Sequence, residues 1–281
     1  MSSIPVAAAL VAAVASPEPD PQPVQRISLD DGNPIRGIDP LLLTCTPLST
    51  FLGDTLLTSA TGFFLSRGQR LFVVTSRHVF IDPVGNHFPD RITIELHVNR
   101  EDLAESVTVS IPLYREGLSL WRQATDAAGD VDVVLIEVDQ TILPRESVYC
   151  AFTPEHIATE EDEEPIEVGA ALLVIGFPLG FHDALHHMPV VRRASLASSF
   201  GLRFQGMGYF LTDARTHRGT SGAPVVIRVA RSSRSSGGVS CRLLGVHSSR
   251  LDMVTRDPIE DEALGLNCAW YSDTLLTLSD D

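Results

Sequence analysis

Short apolar runs recur along this chain at the spacing of β-strands, and turn-forming residues separate them. Before a central gap, the runs are 41–48, 60–66, 70–76, 91–98, 106–113 and 132–138. After the gap, they are 170–177, 208–214, 224–230, 240–248 and 265–271. Because patterns of helical period are scarce between them, this arrangement predicts an all-β barrel or sandwich protein.

The central gap carries the acidic stretch TEEDEEP, which is typical of a solvated connection between domains. An interaction segment is the alternative interpretation of the same charges. The proline-rich sequence SPEPDPQP similarly indicates a linker before the folded part. The predicted division is a leader at 1–37, an N-terminal unit at 38–158, an acidic linker at 159–166 and a C-terminal unit at 167–281. A short helix, capped by Ser272 or Asp273, is expected to close the fold.

The N-terminal apolar run at 4–15 has the length of a signal peptide and offers an Ala-x-Ala site at Ala13 and Ala15. No basic residue precedes it, since the first is Arg26. The missing basic region favours a cytoplasmic protein, with export through residues 1–15 as the alternative. The run is too short to span a bilayer.

Composition narrows the choice of partners. The formal net charge is −15, and all 21 basic residues are arginine. Nucleic acids and anionic membranes select clustered positive charge, so the sequence predicts neither as a partner. The four cysteines have no CxxC spacing and are therefore expected to be buried thiols, not a zinc ribbon or a disulfide framework.

The stretch THRGTSGAPVV, at 216–226, raises the possibility that Ser221 is a nucleophile. A serine hydroxyl needs a base and a group that orients the base. Downstream there is only His247, and the G-x-S-x-G elbow of α/β-hydrolases is absent. Upstream, His78 directly follows an apolar strand, and an aspartate begins another. Asp132 and Asp130 are both candidates there, because they share one strand face.

Four ordered motifs carry a family resemblance: ATGFF with VTSRHV, DVVLIEV, GFPLG, and TDARTHRGTSGAPV. Together they resemble trypsin-like serine peptidases, in particular the bacterial branch of the high-temperature-requirement proteases and glutamyl endopeptidases. The similarity covers about residues 41–275. It implies two six-stranded antiparallel β-barrels with the active site between them and a short C-terminal helix.

The resemblance also assigns roles to residues. It makes His78 the general base, Asp132 the acid that orients it, and Ser221 the nucleophile. The backbone N–H groups of Gly219 and Ser221 would form the oxyanion hole. The implied activity is hydrolysis of polypeptides by a serine endopeptidase that needs no cofactor. A catalytically silent or partner-activated domain that binds protein is the competing hypothesis, and the sequence names no regulatory partner.

Departures from the family pattern bear on activation. Thr220 stands where zymogen-activated trypsins have the aspartate that receives a new N-terminus, and no cysteine comes directly after His78. Both differences favour a peptidase made in its active form, in a reducing compartment.

The resemblance places the S1 pocket, which receives the side chain before the cleaved bond (P1), at Arg215, Thr216 and His247. An imidazole and a hydroxyl can bind a carboxylate or carboxamide, so cleavage after Glu, or less readily Gln or Asp, is expected. The alternative is a small or apolar P1 side chain, with His247 a simple polar strand residue.

Two other clusters attract notice. GFHDALHH brings His182, His186 and His187 near Asp183, and the first two have the i, i+4 spacing of metal ligands on a helix. Its position after GFPLG favours a surface loop, and no metal is predicted. The arginine-rich stretch around SSRSSGG, at 232–238, is typical of an exposed hairpin loop.

Overall fold

The computed structural model describes residues 26–30, 35, 37–159, 165–229, 240–250 and 265–280, with only the backbone of 249 and 250. Most of the predicted leader at 1–37, most of the acidic linker and the SSRSSGG loop lie outside these residues. Within them, no helix is both long and apolar enough to cross a membrane.

The strands that precede the acidic stretch are short and mostly antiparallel. They are β1 (Arg26–Ile27), β2 (Cys45–Leu52), β3 (Thr55–Arg67), β4 (Arg70–Thr75), β5 (Arg91–His97), β6 (Ser106–Pro112), β7 (Tyr114–Arg115), β8 (Leu118–Ser119), β9 (Trp121–Asp126), β10 (Gly129–Glu137) and β11 (Tyr149–Cys150). Across the described residues, seven of them form one sheet in the order β6-β5-β2-β3-β4-β10-β9. The pair β7-β8 is a separate hairpin, while β1 and β11 pair in parallel.

The strands that follow the acidic stretch form the second sheet. They are β12 (Ala171–Gly176), β13 (Val190–Ser195), β14 (Tyr209–Thr212), β15 (Pro224–Arg228), β16 (Cys241–Arg250) and β17 (Asn267–Tyr271). In the part of the chain that the structure describes, all six pair antiparallel in the order β13-β12-β15-β16-β17-β14.

Helices are few and short. Within the described ranges, the α-helices are α1 (Arg77–Phe80) and α2 (Thr274–Leu278). Short 3-10 helices lie at Pro40–Thr44, Gln140–Ile142, Pro154–His156, Pro178–Gly180 and Phe204–Gly206. The predicted closing helix is confirmed as α2, and the carboxylate of Asp273 accepts from the N–H of Thr274 at its start.

The all-β fold with two barrel-like halves and a closing helix is confirmed, with local differences. The first sheet has one strand more than expected. The additional strand is β9, which was not predicted because it is polar and carries no continuous apolar run. Strand β13 was missed for the same reason, since two arginines interrupt it. The run at 41–48 is a strand only from Cys45, because Asp39 caps a 3-10 helix that begins at Pro40.

Among the residues that the structure describes, three clusters of buried side chains form the core. One lies within the first half and one within the second. The third joins the halves, and it includes Phe63 of β3, Ile175 of β12 and Leu243 of β16. The facing ends of the two sheets are therefore held in one packed unit, and the site is built across their junction.

Candidate active site

His78 lies on the single turn of α1, directly after β4. Strand β4 pairs antiparallel with β10 in a register that places Thr75 opposite Val134. The residues just after Thr75 and just before Val134 therefore leave the sheet at the same end. This register brings His78 and Asp132 together although 54 positions separate them.

Two hydrogen bonds join Asp132 to His78. The carboxylate accepts from the backbone N–H of His78 at 2.8 Å and lies 2.8 Å from the Nδ1 atom of its ring. The pairing of β10 with β9 is irregular between Asp130 and Val134, so the backbone at Asp132 is free of regular pairing. Asp130 instead forms an ion pair with Arg77 at 3.1 Å. Of the two candidate aspartates, the structure places Asp132 against the histidine.

Ser221 belongs to the second half and reaches the same place from the opposite side. Its hydroxyl donates to the backbone carbonyl of Ser248 at 3.0 Å. The side chain of Ser248 donates a hydrogen bond to the carboxylate of Asp132. One residue of β16 thus contacts both Ser221 and Asp132. Among the described residues, the Ser221 hydroxyl makes no hydrogen bond to His78.

A tight turn precedes Ser221. The N–H of Thr220 donates to the carbonyl of His217 at 3.1 Å, and Gly219 has a φ of +89°. These are the features of a type II turn, in which the third residue needs a positive φ. A Cβ atom at Gly219 would lie 2.5 Å from the carbonyl oxygen of Phe177. Glycine is therefore required at 219 on two grounds, conformation and space.

The turn leaves two N–H groups without an acceptor in the described part of the chain. The N–H groups of Thr220 and Gly222 are bonded within the protein, to His217 and His247. Those of Gly219 and Ser221 donate to no acceptor in the described part of the chain. Gly219 is buried and Ser221 is half-buried. Since N–H groups removed from water are nearly always paired, two unpaired groups two residues apart mark a site for an external acceptor.

The peptide between Arg218 and Gly219 has a fixed orientation. The carbonyl of Arg218 accepts from the N–H of Leu179 at 2.6 Å, in the GFPLG turn. In a trans peptide the C=O and N–H groups point in opposite directions. The N–H of Gly219 is therefore directed away from Leu179.

The environment sets the protonation of both histidines. Burial lowers the pKa of His78, but the hydrogen bond to Asp132 and the charges of Asp132 and Asp82 outweigh it and raise this pKa above 6.5. Burial, together with the charge of nearby His78, lowers the pKa of His247 to about 4. His247 is therefore uncharged at neutral pH.

The residues predicted for the S1 pocket have different surroundings. His247 lies on β16, is only 2% exposed, and its Nδ1 atom has no hydrogen-bond partner among the described residues. The hydroxyl of Thr216 donates to Asn267 at 2.7 Å, on the strand that pairs with β16. Arg215 is exposed. His247 thus offers a buried ring nitrogen without a partner in the described part of the chain, near enough to His78 for that charge to affect its pKa.

The histidines after GFPLG lie in a loop, as expected, and each has an oxygen partner. His182 contacts the carbonyl of Gly180 at 2.6 Å, and His186 contacts Asp183 at 2.8 Å. His187 pairs with Glu95 of β5 at 2.8 Å. No group of three or more metal-ligating side chains in the described ranges is arranged to hold a metal ion.

Sequence reasoning missed the connecting residues. The contacts of Ser248 with Ser221 and Asp132 were not foreseen. The available signal was strand alternation, because neighbours of His247 face the opposite side of β16. No local sequence pattern identifies Asn267 or Thr61, since only folding brings them against the segment before Ser221.

Comparison with known proteins agrees with the geometry. Residues 60–229 match the family model of the trypsin-like peptidase domain, and they make up more than half of the chain. The chain belongs to the trypsin-like peptidase family, and the resemblance seen in the four motifs is confirmed at that level. No curated protein matches the chain.

Several solved structures are similar to this chain. A serine endoprotease from Yersinia pestis is 14% identical with a TM-score of 0.48, over 85% of this chain and 62% of that one. The chain thus spans less than two thirds of that protein. The active form of the Rv3671c protease from M. tuberculosis is 15% identical with a TM-score of 0.45, over 95% of this chain and 92% of that one.

Proposed function

We propose that this protein is a serine endopeptidase in which Ser221, His78 and Asp132 form the catalytic triad. The observation that carries the proposal is the unpaired pair of N–H groups at Gly219 and Ser221, beside a His78 that is already bonded to Asp132. A nucleophile, a base with its orienting acid and two donors for an oxyanion are the set of groups that acyl transfer requires.

The reaction follows from these positions. Rotation about the Cα–Cβ bond of Ser221 moves its hydroxyl from the carbonyl of Ser248 toward the Nε2 atom of His78. The Ser221 oxygen attacks the peptide carbonyl carbon, and its proton passes to Nε2. The oxyanion then accepts from the N–H groups of Gly219 and Ser221. His78 gives the proton to the leaving amine as the C–N bond breaks. Water then attacks the acyl carbon while His78 accepts its proton. The proton passes to the Ser221 oxygen as the acyl group is released.

Asp132 keeps the imidazole in the tautomer this reaction needs. Its carboxylate accepts from Nδ1, so Nε2 is left without a proton and can act as the base. The same charge stabilises the imidazolium that forms during the attack. Bonds from Ser248 and from the N–H of His78 hold the carboxylate in place.

Digestion of an unfolded protein substrate tests the proposal. Purified protein should release internal fragments that mass spectrometry can identify, and Ser221→Ala should release none above background. Equal fragment yields from the two proteins would assign the hydrolysis to a contaminant and contradict the proposal.

Cleavage after Glu is the finer part of the proposal. The unpartnered Nδ1 atom of buried His247 supports it, because a neutral imidazole can donate one hydrogen bond to a carboxylate without bringing a charge into the pocket. The hydroxyl of Thr216 already donates to Asn267, so its oxygen is left to accept a bond, as from a Gln carboxamide.

A peptide library varied at P1 tests this preference. Glu should be cleaved fastest, with Gln next, and His247→Leu should reduce cleavage after Glu at least tenfold while cleavage after Ala changes little. A preference of the wild-type protein for Leu or Ala over Glu would overturn the carboxylate pocket and leave the triad intact.

One observation favours the competing function, a domain that needs a partner to become active. The Ser221 hydroxyl is bonded to Ser248 and not to His78. Contacts between nucleophile and base are often long before substrate binds, so this geometry is also expected of an active enzyme. A protein that digests substrates when purified alone would exclude the need for a partner.

A further inference from the structure

Thr61 of β3 is a fully buried threonine at the junction of the two halves. Its hydroxyl donates to the carbonyl of Gly219 at 2.8 Å and accepts from the N–H of Phe177 at 3.0 Å. One side chain from the first half therefore bonds two segments of the second, the turn before Ser221 and the start of the GFPLG turn.

The backbone of Thr61 adds two further bonds at the same place. Its N–H donates to the carbonyl of Ser221 at 2.9 Å, and its carbonyl accepts from the hydroxyl of Thr75 at 2.8 Å. Thr75 ends the strand that leads to His78. The hydrogen bonds of Thr61 thus connect the nucleophile, the oxyanion turn and the strand that carries the base.

The backbone of Gly176 leaves room for the Thr61 hydroxyl. A Cβ atom at Gly176 would lie 2.6 Å from the Oγ1 atom of Thr61, closer than such contacts occur. The glycine of the GFPLG motif is therefore what allows the threonine to reach the turn.

Hydrogen bonds fix the two carbonyl groups on either side of the Gly219 N–H, the proposed oxyanion donor. Leu179 binds the carbonyl of Arg218, and Thr61 binds the carbonyl of Gly219. Gly219 lies between these two peptides and has no side chain to limit its rotation. The two bonds therefore replace the steric restraint that any other residue would provide.

We propose that Thr61 is a positioning residue for the oxyanion hole: its hydroxyl holds the Gly219 carbonyl, and so keeps the N–H of Gly219 aimed at the substrate oxyanion. The inference rests on the proposed peptidase function and adds to it a residue from the first half. Thr61 touches no reacting atom, so it acts through the turn.

Three variants test the role of Thr61. Thr61→Val keeps the shape and removes the hydroxyl, while Thr61→Ser keeps the hydroxyl. Thr46→Val is the matched control, because Thr46 is equally buried in the same sheet and its hydroxyl bonds the carbonyl and N–H of Glu95, away from the turn. Thermal unfolding of each variant separates loss of activity from loss of folded protein.

The expected result is a selective loss in kcat. Thr61→Val should lower kcat at least about tenfold, with KM within about twofold, because an oxyanion donor acts in the transition state. Affinity for a peptide aldehyde, which forms a tetrahedral adduct with the serine, should fall in parallel. Thr61→Ser should restore most of both, and Thr46→Val should lower the unfolding temperature without lowering kcat. Full kcat in folded Thr61→Val, or an equal loss in Thr46→Val, would overturn the proposal.

A crystal structure of Thr61→Val separates this inference from the proposed function. The Gly219 carbonyl should leave its position, and the φ of Gly219 should depart from +89°. An unchanged turn would overturn the positioning role even if the wild-type protein digested substrates normally. A wild-type protein without activity but with a displaced turn in Thr61→Val would contradict the peptidase function and support the structural part of the inference.

Discussion

The hydroxyl of Ser221 donates to the backbone carbonyl of Ser248 at 3.0 Å, while the side chain of Ser248 donates to Asp132. Ser248 thus contacts the nucleophile through its backbone and the triad acid through its side chain. Substitution of the side chain leaves the backbone contact in place, so the two contacts can be tested separately.

Ser248→Ala removes only the bond to Asp132. Hydrogen bonds to charged groups contribute about 1.5–3 kcal/mol, so we expect kcat/KM to fall about tenfold or more. Ser106→Ala is a matched control, because Ser106 also donates to a carboxylate, that of Glu95, at 2.6 Å. Kinetics on a peptide substrate measure both. Unchanged kcat/KM in Ser248→Ala would show that the other bonds of Asp132 suffice.

The two aspartates of β10 give opposite predictions. Asp132→Asn should lower kcat by about 10⁴, because an amide favours the wrong tautomer of His78. Asp130→Asn removes an exposed ion pair with Arg77, which contributes at most about 1 kcal/mol to stability, and should leave kcat within about twofold. A larger loss in Asp130→Asn than in Asp132→Asn would reverse the assignment.

The pH dependence of kcat/KM should have one acid limb, which belongs to His78. The base must be uncharged to accept the proton of Ser221, so activity rises as pH increases through the pKa of His78. Because that pKa is raised, the midpoint should lie above 6.5. His247, with a pKa of about 4, stays uncharged over this range and should add no second step. A midpoint below 6.5 would contradict the environment described for His78.

The family and most of the strands could be predicted from the sequence, because the apolar runs of a packed sheet are local patterns. Ser221 and His78 were identified through motifs. Strand alternation alone could not separate Asp130 from Asp132, because it places both on one face of the strand; the family motif favoured Asp132, and the contact with His78 depends on the irregular pairing of β10 with β9. The roles of Ser248 and Thr61 depend on contacts between distant segments, which no local pattern records.

The cysteines should be unreactive in the native protein. All four are buried, and burial raises the pKa of Cys45, Cys241 and Cys268 to about 12. A thiol reagent such as Ellman's reagent needs the thiolate, so reaction should be slow until denaturant is added, when four thiols should appear. Rapid reaction of a native thiol would show that a cysteine is accessible.

Labelling with a fluorophosphonate tests the central claim most directly, because the reagent reacts with a serine only when base and oxyanion hole activate it. We predict one covalent adduct per chain, located by mass spectrometry on Ser221, that is lost in Ser221→Ala and forms much more slowly in Asp132→Asn. No adduct on the folded wild-type protein, or an adduct that persists in Ser221→Ala, would contradict the assignment of Ser221 as the nucleophile.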